Sequence, residues 1–260
     1  MEFRDFSQRL LAERDPALAM AVVATVGSTH TLGRRLIDEA GEEPESPPVA
    51  AVDLVAWEQT AGRGRDNRRW SSPPGCGIYL TLVRTLSRGS LQLLPLIVGA
   101  TLVDAIESAS PRQPVRLAWP NDLVAGDVKL GGLLIDAVSR ANGDTAAVVS
   151  FGINHSGPLE QLAAPRPTSL EALAVEGDLA SWALRLRDAV DARLRSTPDA
   201  AQVLADYRRL SAHRAGDRLS VRDGNGGRIE GTFLGVDARG FLRLDVDGEE
   251  RLLSAGRLDA

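Results

Sequence analysis

Cysteine is almost missing from this chain. Cys76 is the only one in 260 residues, so no disulfide can close within it and a reducing compartment fits. Long apolar runs are missing as well. No stretch approaches the length of a membrane span, and the start, Met-Glu-Phe-Arg-Asp, carries charge where a secretory signal needs apolar residues. The expected location is therefore the cytoplasm, with no membrane partner. Excess positive charge is lacking too: a net charge of −5 and a pI near 5.3 argue against a surface that grips nucleic acid as a whole, leaving local basic clusters as places for an anion. The sequence has no internal repeat, no low-complexity tract and no Gly-x4-Gly-Lys-Ser/Thr phosphate loop. Its three histidines, His30, His155 and His213, lack metal-ligand spacing, so no metal site is assigned from the protein itself. Cys76 reads as a small buried residue, not a nucleophile.

What is present is ordinary for a globular protein, with 43% apolar and 25% charged residues. The length suits one sizeable domain with a small module. Residues 18–26 read as a strand that stops at Gly27-Ser28-Thr29, where a hydroxyl can cap a helix carrying Leu32, Leu36 and Ile37. A loop with Glu42, Glu43, Pro44, Pro47 and Pro48 precedes a second strand over 49–57. Further strands are expected over 78–83, 115–119 and 146–153, with a hairpin over 122–138. Helices are expected over 93–106, 179–194 and 200–210. Strands and helices are mixed without strict alternation, which predicts an α+β fold: a mixed, largely antiparallel sheet with packed helices. From about Gly216 short strand-like runs (218–222, 228–236, 241–246, 251–254) separated by turns such as Asp223-Gly224-Asn225-Gly226-Gly227 and Asp247-Gly248 predict a small β-barrel.

Four stretches carry chemistry. Gln59-Thr60-Ala61-Gly62-Arg63-Gly64-Arg65-Asp66-Asn67-Arg68-Arg69-Trp70 places four arginines and two glycines within residues 62–69. Glycine lets the backbone fold over a ligand, and guanidinium forks match phosphate oxygens. On arginine count alone a solvated basic loop or a nucleic-acid patch is the better reading, but the preceding strand and the ending Trp70-Ser71-Ser72-Pro73 shift the balance towards a nucleotide lid. Such a lid is expected to be mobile when empty and to order over an anion. The second and third stretches, Trp119-Pro120-Asn121-Asp122 and Lys129-Leu130-Gly131-Gly132, lie side by side if Gly126-Asp127 is a two-residue turn. Val124 then pairs with Lys129, and Asp122 is its diagonal neighbour, roughly 7 to 8 Å away. An amide, a carboxylate and a lysine beside two glycines can hold a metal-bound triphosphate, or can be an ordinary turn with a surface ion pair. The fourth, Ser150-Phe151-Gly152-Ile153-Asn154, ends a buried strand in a polar amide and is weak alone.

In this order and spacing the four stretches closely resemble the biotin protein ligase family, over the chain from about Val26 to the end. The resemblance implies a class II synthetase-like catalytic domain over 1–213 and an SH3-like β-barrel domain over 214–260, of which Leu253-Ser254-Ala255-Gly256 looks like the end. It implies ATP-dependent formation of biotinyl-5'-AMP and transfer of biotin to a lysine of a biotin carboxyl carrier protein. Biotin and ATP are then substrates, and Mg2+ comes with the ATP. Carried over residue by residue, Ser28, Thr29, Gln59, Gly62, Arg63, Arg65 and Gly132 bind biotin. Arg68, Trp70, Asn121, Asp122, Lys129 and Asn154 bind the ATP or adenylate, and Lys129 and Arg65 carry the catalysis. Three positions depart from the family pattern: Ala118 stands where lysine is usual, His30 where asparagine is common, and Ser150 where glycine is common. Arg116, two residues before Ala118 on the same strand face, is the candidate replacement cation. Lipoate ligases share the fold and the adenylate chemistry, but their loop pattern does not occur here. A biotin-sensing DNA repressor needs a three-helix reader, and roughly twenty residues precede the first strand, so no DNA partner is expected. A homologue that binds biotin with weakened catalysis remains an alternative on the strength of Ala118. Monomer and homodimer are both compatible with the sequence.

Overall fold

The structure, a computed structural model, describes residues 1–41, 50–86, 91–140, 144–162, 166–196, 199–223 and 227–258. The loop expected around Glu42 to Pro48, the first residue of the strand expected over 49–57, and Gly224 to Gly226 of one expected turn lie outside the described residues.

Seven strands form the main sheet: β1 (Ala19–Val26), β2 (Val52–Gln59), β3 (Gly77–Leu86), β4 (Val115–Ala118), β5 (Asp122–Ala125), β6 (Val128–Ser139) and β7 (Thr145–Asn154). Their order is β1-β2-β3-β7-β6-β5-β4. Only β1 and β2 run parallel; the other pairings are antiparallel, as expected for a mixed, largely antiparallel sheet. β3 and β7 are the buried centre, covered on both faces, and so read as near-continuous apolar runs.

Alternation along these strands sends Leu80, Leu82, Val149 and Phe151 to one face, where they form the main core with α1 (Phe3–Glu13), α3 (Leu94–Glu107), α4 (Leu179–Arg195) and α5 (Ala200–Leu210). Val83, Ala146 and Val148 on the other face pack against Ile37 of α2 (Thr29–Ala40). Side-chain caps start three of these helices: the Ser28 hydroxyl accepts from Thr31 N, Asp178 from Ala180 N and Ser181 N, and Asp199 from Gln202 N. The pattern reading missed α1. Its Phe6 and Leu10 are fully buried, and Phe6 lies 5.3 Å from the Trp57 ring.

The C-terminal strands β8 (Arg218–Arg222), β9 (Arg228–Val236), β10 (Leu242–Val246), β11 (Glu249–Leu253) and β12 (Arg257–Leu258) form an antiparallel sheet in the order β11-β10-β9-β8-β12. This antiparallel sheet stands where the small SH3-like barrel was expected; among the described residues no pairing joins β11 to β12, so no closed barrel is detected, and the two residues of β12 bond to β8. The sheet docks through Trp119, whose Nε1 donates to Gly240 O at 3.0 Å, and through Val221, Phe233, Leu242 and Leu244, which join the main core. Among the described residues no helix is long and apolar enough to cross a membrane.

Candidate active site

On the α2 face of the sheet, where β5, β6 and β7 meet the start of α2, lies a cavity of about 390 Å³. Its floor is bare backbone, because Gly132 and Gly152 face each other across β6 and β7. Trp70 fills that space: a Cβ on Gly152 would stand 2.6 Å from Trp70 Nε1. The indole N–H is buried with no protein acceptor among the described residues.

The roof is the 62–69 loop, which folds as a short hairpin. Arg63 and Arg69 form a bridge, Gly64 N donates to Arg68 O at 2.8 Å, and Arg68 N donates to Arg65 O at 3.1 Å. Asp66 and Asn67 occupy the tip with φ of 55° and 56°, the left-handed pair of a type I′ turn that Asp and Asn tolerate. Gly62 does not line the cavity. A Cβ there would come within 2.4 Å of Trp70 O, so glycine lets the two ends of the hairpin close on each other. Arg65 Nη1 reaches Asn121 Oδ1 and Gly256 O, each at 3.4 Å, and so bridges the roof to both sheets.

The β4–β5 corner, entered by the cis Trp119–Pro120 bond, presents Asn121 and Asp122. Asn121 Nδ2 donates to Leu133 O at 2.6 Å. Val124 pairs with Lys129 as the Gly126-Asp127 turn predicts, but a bulge between Leu123 and Val124 sets Asp122 opposite Gly132. The Asp122 and Lys129 side chains nevertheless reach each other along that face, Oδ1 to Nζ at 2.6 Å. Lys129 Nζ also lies 5.6 Å from the Trp70 ring centre.

At the far end are Ser28, Thr29 and Gln59. Gln59 Oε1 accepts from Thr29 N at 2.9 Å and from Thr29 Oγ1 at 3.2 Å, and Gln59 Nε2 donates to Ser72 Oγ at 2.9 Å. His30 lines the same end with a buried ring, and burial lowers its pKa below the ordinary histidine value.

Of the residues singled out from sequence, Ser28, Thr29, Gln59, Arg63, Arg65, Arg68, Trp70, Asn121, Asp122, Lys129 and Gly132 all line this one cavity. Asn154 does not. It is buried at the end of β7, where its Nδ2 donates to Thr168 O at 2.9 Å, and Thr168 N in turn bonds Lys129 O at 2.8 Å. It thus steadies the segment behind Lys129. Arg116 is not at the wall either, because Nη1 is paired with Glu107 Oε2 at 3.0 Å; Ala118 lines the cavity with no charge beside it from that strand. Lining residues to which sequence reasoning gave no role are Arg69, Ser150, Phe151 and, from the C-terminal sheet, Gly256, Arg257 and Leu258. The last three carried no local signal, since only the docking of the two sheets brings them to the site. The lining holds six Lys and Arg side chains against two carboxylates, Asp66 and Asp122, in a chain whose net charge is −5. Such a concentration of cations selects a polyanion.

The class to which this fold and site belong, the ligases, is identified by comparison with known proteins. The model of the Biotin/lipoate A/B protein ligase family matches residues 26–154. The biotin--[acetyl-CoA-carboxylase] ligase of Mycobacterium tuberculosis (strain ATCC 25618 / H37Rv) is 30% identical over 263 residues, covering 98% of this chain and 94% of that protein. The bifunctional ligase/repressor BirA of Escherichia coli (strain K12) is 30% identical over 150 residues, 57% of this chain and 44% of BirA. The structure of the Aquifex aeolicus biotin protein ligase with biotin and ATP superposes with a TM-score of 0.70 at 23% identity, covering 93% of this chain and 97% of that one, a likeness of fold. The chain belongs to the biotin protein ligase family.

Proposed function

We propose that the protein activates biotin with ATP as biotinyl-5'-AMP and transfers the biotinyl group to a lysine of a biotin carboxyl carrier protein. The observation that carries this reading is the cationic roof and Lys129–Asp122 pair set over a glycine floor at one end of a cavity whose other end is neutral and hydrogen-bonding. The neutral end suits the cyclic urea of biotin, and the cationic end suits the triphosphate. In the first step the biotin carboxylate attacks the α-phosphorus, a P–O bond forms, and the bond to pyrophosphate breaks. That step needs in-line positioning and neutralisation of phosphate charge, not a protein nucleophile. In the second, the carrier amine attacks the acyl carbon and AMP leaves.

Lys129 and Arg65 are assigned to the phosphate charge, and Ser28, Thr29 and Gln59 to the biotin head group. Trp70 packs against the adenylate, with Arg63 and Arg68 closing over it. The cation missing at Ala118 is supplied by Arg65 and by Arg257, both at the cavity wall. Among the described residues no three His, Cys, Asp or Glu converge, so Mg2+ fits here only as an ion carried on the phosphates with Asp122 as its protein ligand, which is how Mg2+ is usually held. There it supplies charge neutralisation. Residues 214–260 are proposed as a second domain that completes the nucleotide end, and the cytoplasm as the place of work.

Pyrophosphate release on mixing with biotin and MgATP, dependent on biotin, is the expected result. Biotin binding without pyrophosphate release would instead mark a weakened homologue, and activation of lipoate in place of biotin would sink the substrate assignment.

A further inference from the structure

A chain of hydroxyls runs under the biotin end of the cavity and ends on His30. The His30 ring is 7% exposed and uses both nitrogens: Nδ1 lies 2.8 Å from Ser150 Oγ, and Nε2 lies 3.1 Å from Asp136 Oδ2. Ser150 Oγ is 2.8 Å from Thr81 Oγ1, Thr81 donates to Thr29 Oγ1 at 2.9 Å, and Thr29 donates to Gln59 Oε1 at 3.2 Å. Thr81 and Ser150 are buried, and their strands β3 and β7 pair at this point. Four contacts thus join Nδ1 to Gln59, while the three hydroxyls between them carry three protons. A contact between two oxygens with no proton is repulsive.

The direction seen here, Thr81 to Thr29 to Gln59, makes Ser150 donate to Thr81, so the fourth proton has to come from His30 as Nδ1–H. Nε2 faces a carboxylate, which only accepts, and needs a proton as well. The full chain therefore requires the doubly protonated ring. With a neutral ring, Nε2–H stays on Asp136 and Nδ1 accepts from Ser150, so two hydroxyl protons are left for three contacts; the longest of these, Thr29 to Gln59 at 3.2 Å, is the one given up once the Thr29 hydroxyl rotates towards Thr81, and Gln59 Oε1 keeps only the Thr29 N–H. One lone pair on Gln59 and both on Thr29 are then open to a donor from the ligand.

Resting on the reading of the site as a biotin site, we infer that His30 is a positioning residue for biotin: through Ser150, Thr81 and Thr29 it sets whether Gln59 and Thr29 face the urea N–H groups as acceptors, so biotin binds best when the His30 ring is neutral. The charged groups that face the ring are Asp136 of β6, which favours its protonation, and Arg63 of the roof and Arg34 of its own helix, which oppose it. β3 and β7 present only the neutral Thr81 and Ser150. Burial is the larger influence and lowers the ring's pKa from the ordinary histidine value, favouring the neutral form.

The test is calorimetric titration of the full chain with biotin alone between pH 5 and 8.5. Ligand preference for the neutral ring makes affinity level at high pH and weaker as pH falls through the His30 pKa. The expected Kd is flat at high pH and rises severalfold as pH falls towards 5, with release of up to one proton per biotin where it rises. In His30→Asn, whose amide bonds but does not titrate, Kd should stay within about twofold over the same range once biotin's own carboxyl, common to both proteins, is taken out. Asp136→Asn keeps the ring and removes the charge that favours its protonation, so the same rise should move to lower pH. In turnover the pH effect should fall on the KM for biotin and not on that for ATP. A flat parent profile, or a His30→Asn profile that rises as the parent's does, overturns the inference while leaving the ligase reading standing. Failure of the parent to bind biotin at pH 8 overturns the ligase reading and this inference with it.

Discussion

Lys129 is the only lysine in the chain; every other one of its 30 basic Lys and Arg residues is arginine. Its ammonium is the compact point charge that an arginine fork cannot replace at equal geometry, and Asp122 holds it 2.6 Å away on the bulged β5–β6 pair. We expect Lys129→Ala to fold, with an unchanged circular dichroism spectrum, and to lose a hundredfold or more in pyrophosphate release, since one such charge contact at a transition state contributes about 3 to 4 kcal/mol. Normal release by this variant would remove Lys129 from the mechanism. The same residue shows where sequence reading stops. The motif pair and the turn placed Lys129 and Asp122 as neighbours, but no spacing announces the bulge that sets Asp122 opposite Gly132. His30 and Asp136 are 106 residues apart and were joined by no motif.

At the scale of elements, the 62–69 hairpin combines backbone bonds that need no ligand with side chains that need one. Its bonds between Gly64 and Arg68 and its turn at Asp66-Asn67 give it a shape, yet Arg63, Arg65, Arg68 and Arg69 crowd one end of a cavity where like charges repel. A bound polyanion removes that repulsion and tightens the roof over an intermediate that water or any amine would otherwise consume. Arg65→Gly should therefore form adenylate more slowly but release a larger share of it, labelling an added lysine-rich protein about tenfold more per adenylate formed than the parent does; a one-contact loss of about 1.4 kcal/mol is enough. Trypsin cleavage after Arg63 or Arg65 should slow when biotin and MgATP are added. Equal cleavage with and without ligands, together with equal retention, would leave a solvated basic loop. The elements around the hairpin were largely legible because apolar period marks buried faces: β3, β7 and α3 lie almost where the pattern put them. α1 was not, because its buried stripe is only Phe6 and Leu10 among charged neighbours. β12 could not be, since two residues have no period.

At the scale of the whole molecule, the sheet and helices are tied by a buried ionic cluster behind the site. Asp53 of β2 and Asp191 of α4 clasp Arg84 at 2.6 and 2.7 Å, and Arg187 joins Asp53 at 2.6 Å. Burial alone would raise the Asp191 pKa, but Arg84, then Arg187 and Arg195, outweigh it and hold it below the usual aspartate value. The stability this adds is present above the unfolded aspartate pKa and is lost as pH falls through the depressed folded one. Asp191→Ala, which leaves two buried guanidinium groups to share the one carboxylate of Asp53 and so one buried positive charge uncompensated, should cost about 3 to 5 kcal/mol, read as a fall in urea midpoint. A loss under about 1 kcal/mol would show the cluster to be hydrated or redundant.

The two sheets also meet at the site, and how they meet decides which truncation is informative. Removing 214–260 would strip Val221, Phe233, Leu242 and Leu244 from the core that also holds Trp119, so lost activity would report lost folding. Removing only 256–260 is different. β12 bonds to β8 through two residue pairs, and β8, β9, β10 and β11 remain joined without it. What goes is the stretch Gly256 to Leu258 at the cavity wall, together with the Gly256 carbonyl that Arg65 touches at 3.4 Å. Ser28, Thr29, Gln59 and His30, at the opposite end, keep every hydrogen bond they have. The shortened chain should therefore melt within a few degrees of the parent and bind biotin within about threefold, while its KM for ATP rises about tenfold, the effect of roughly 1.4 kcal/mol from one lost charge or roof contact. Steady-state kinetics in ATP, with biotin affinity measured beside them, separate the outcomes. An unchanged KM for ATP would mean that the C-terminal strand only borders the cavity, and an equal loss in biotin affinity would mean that the two ends of the site are not independent.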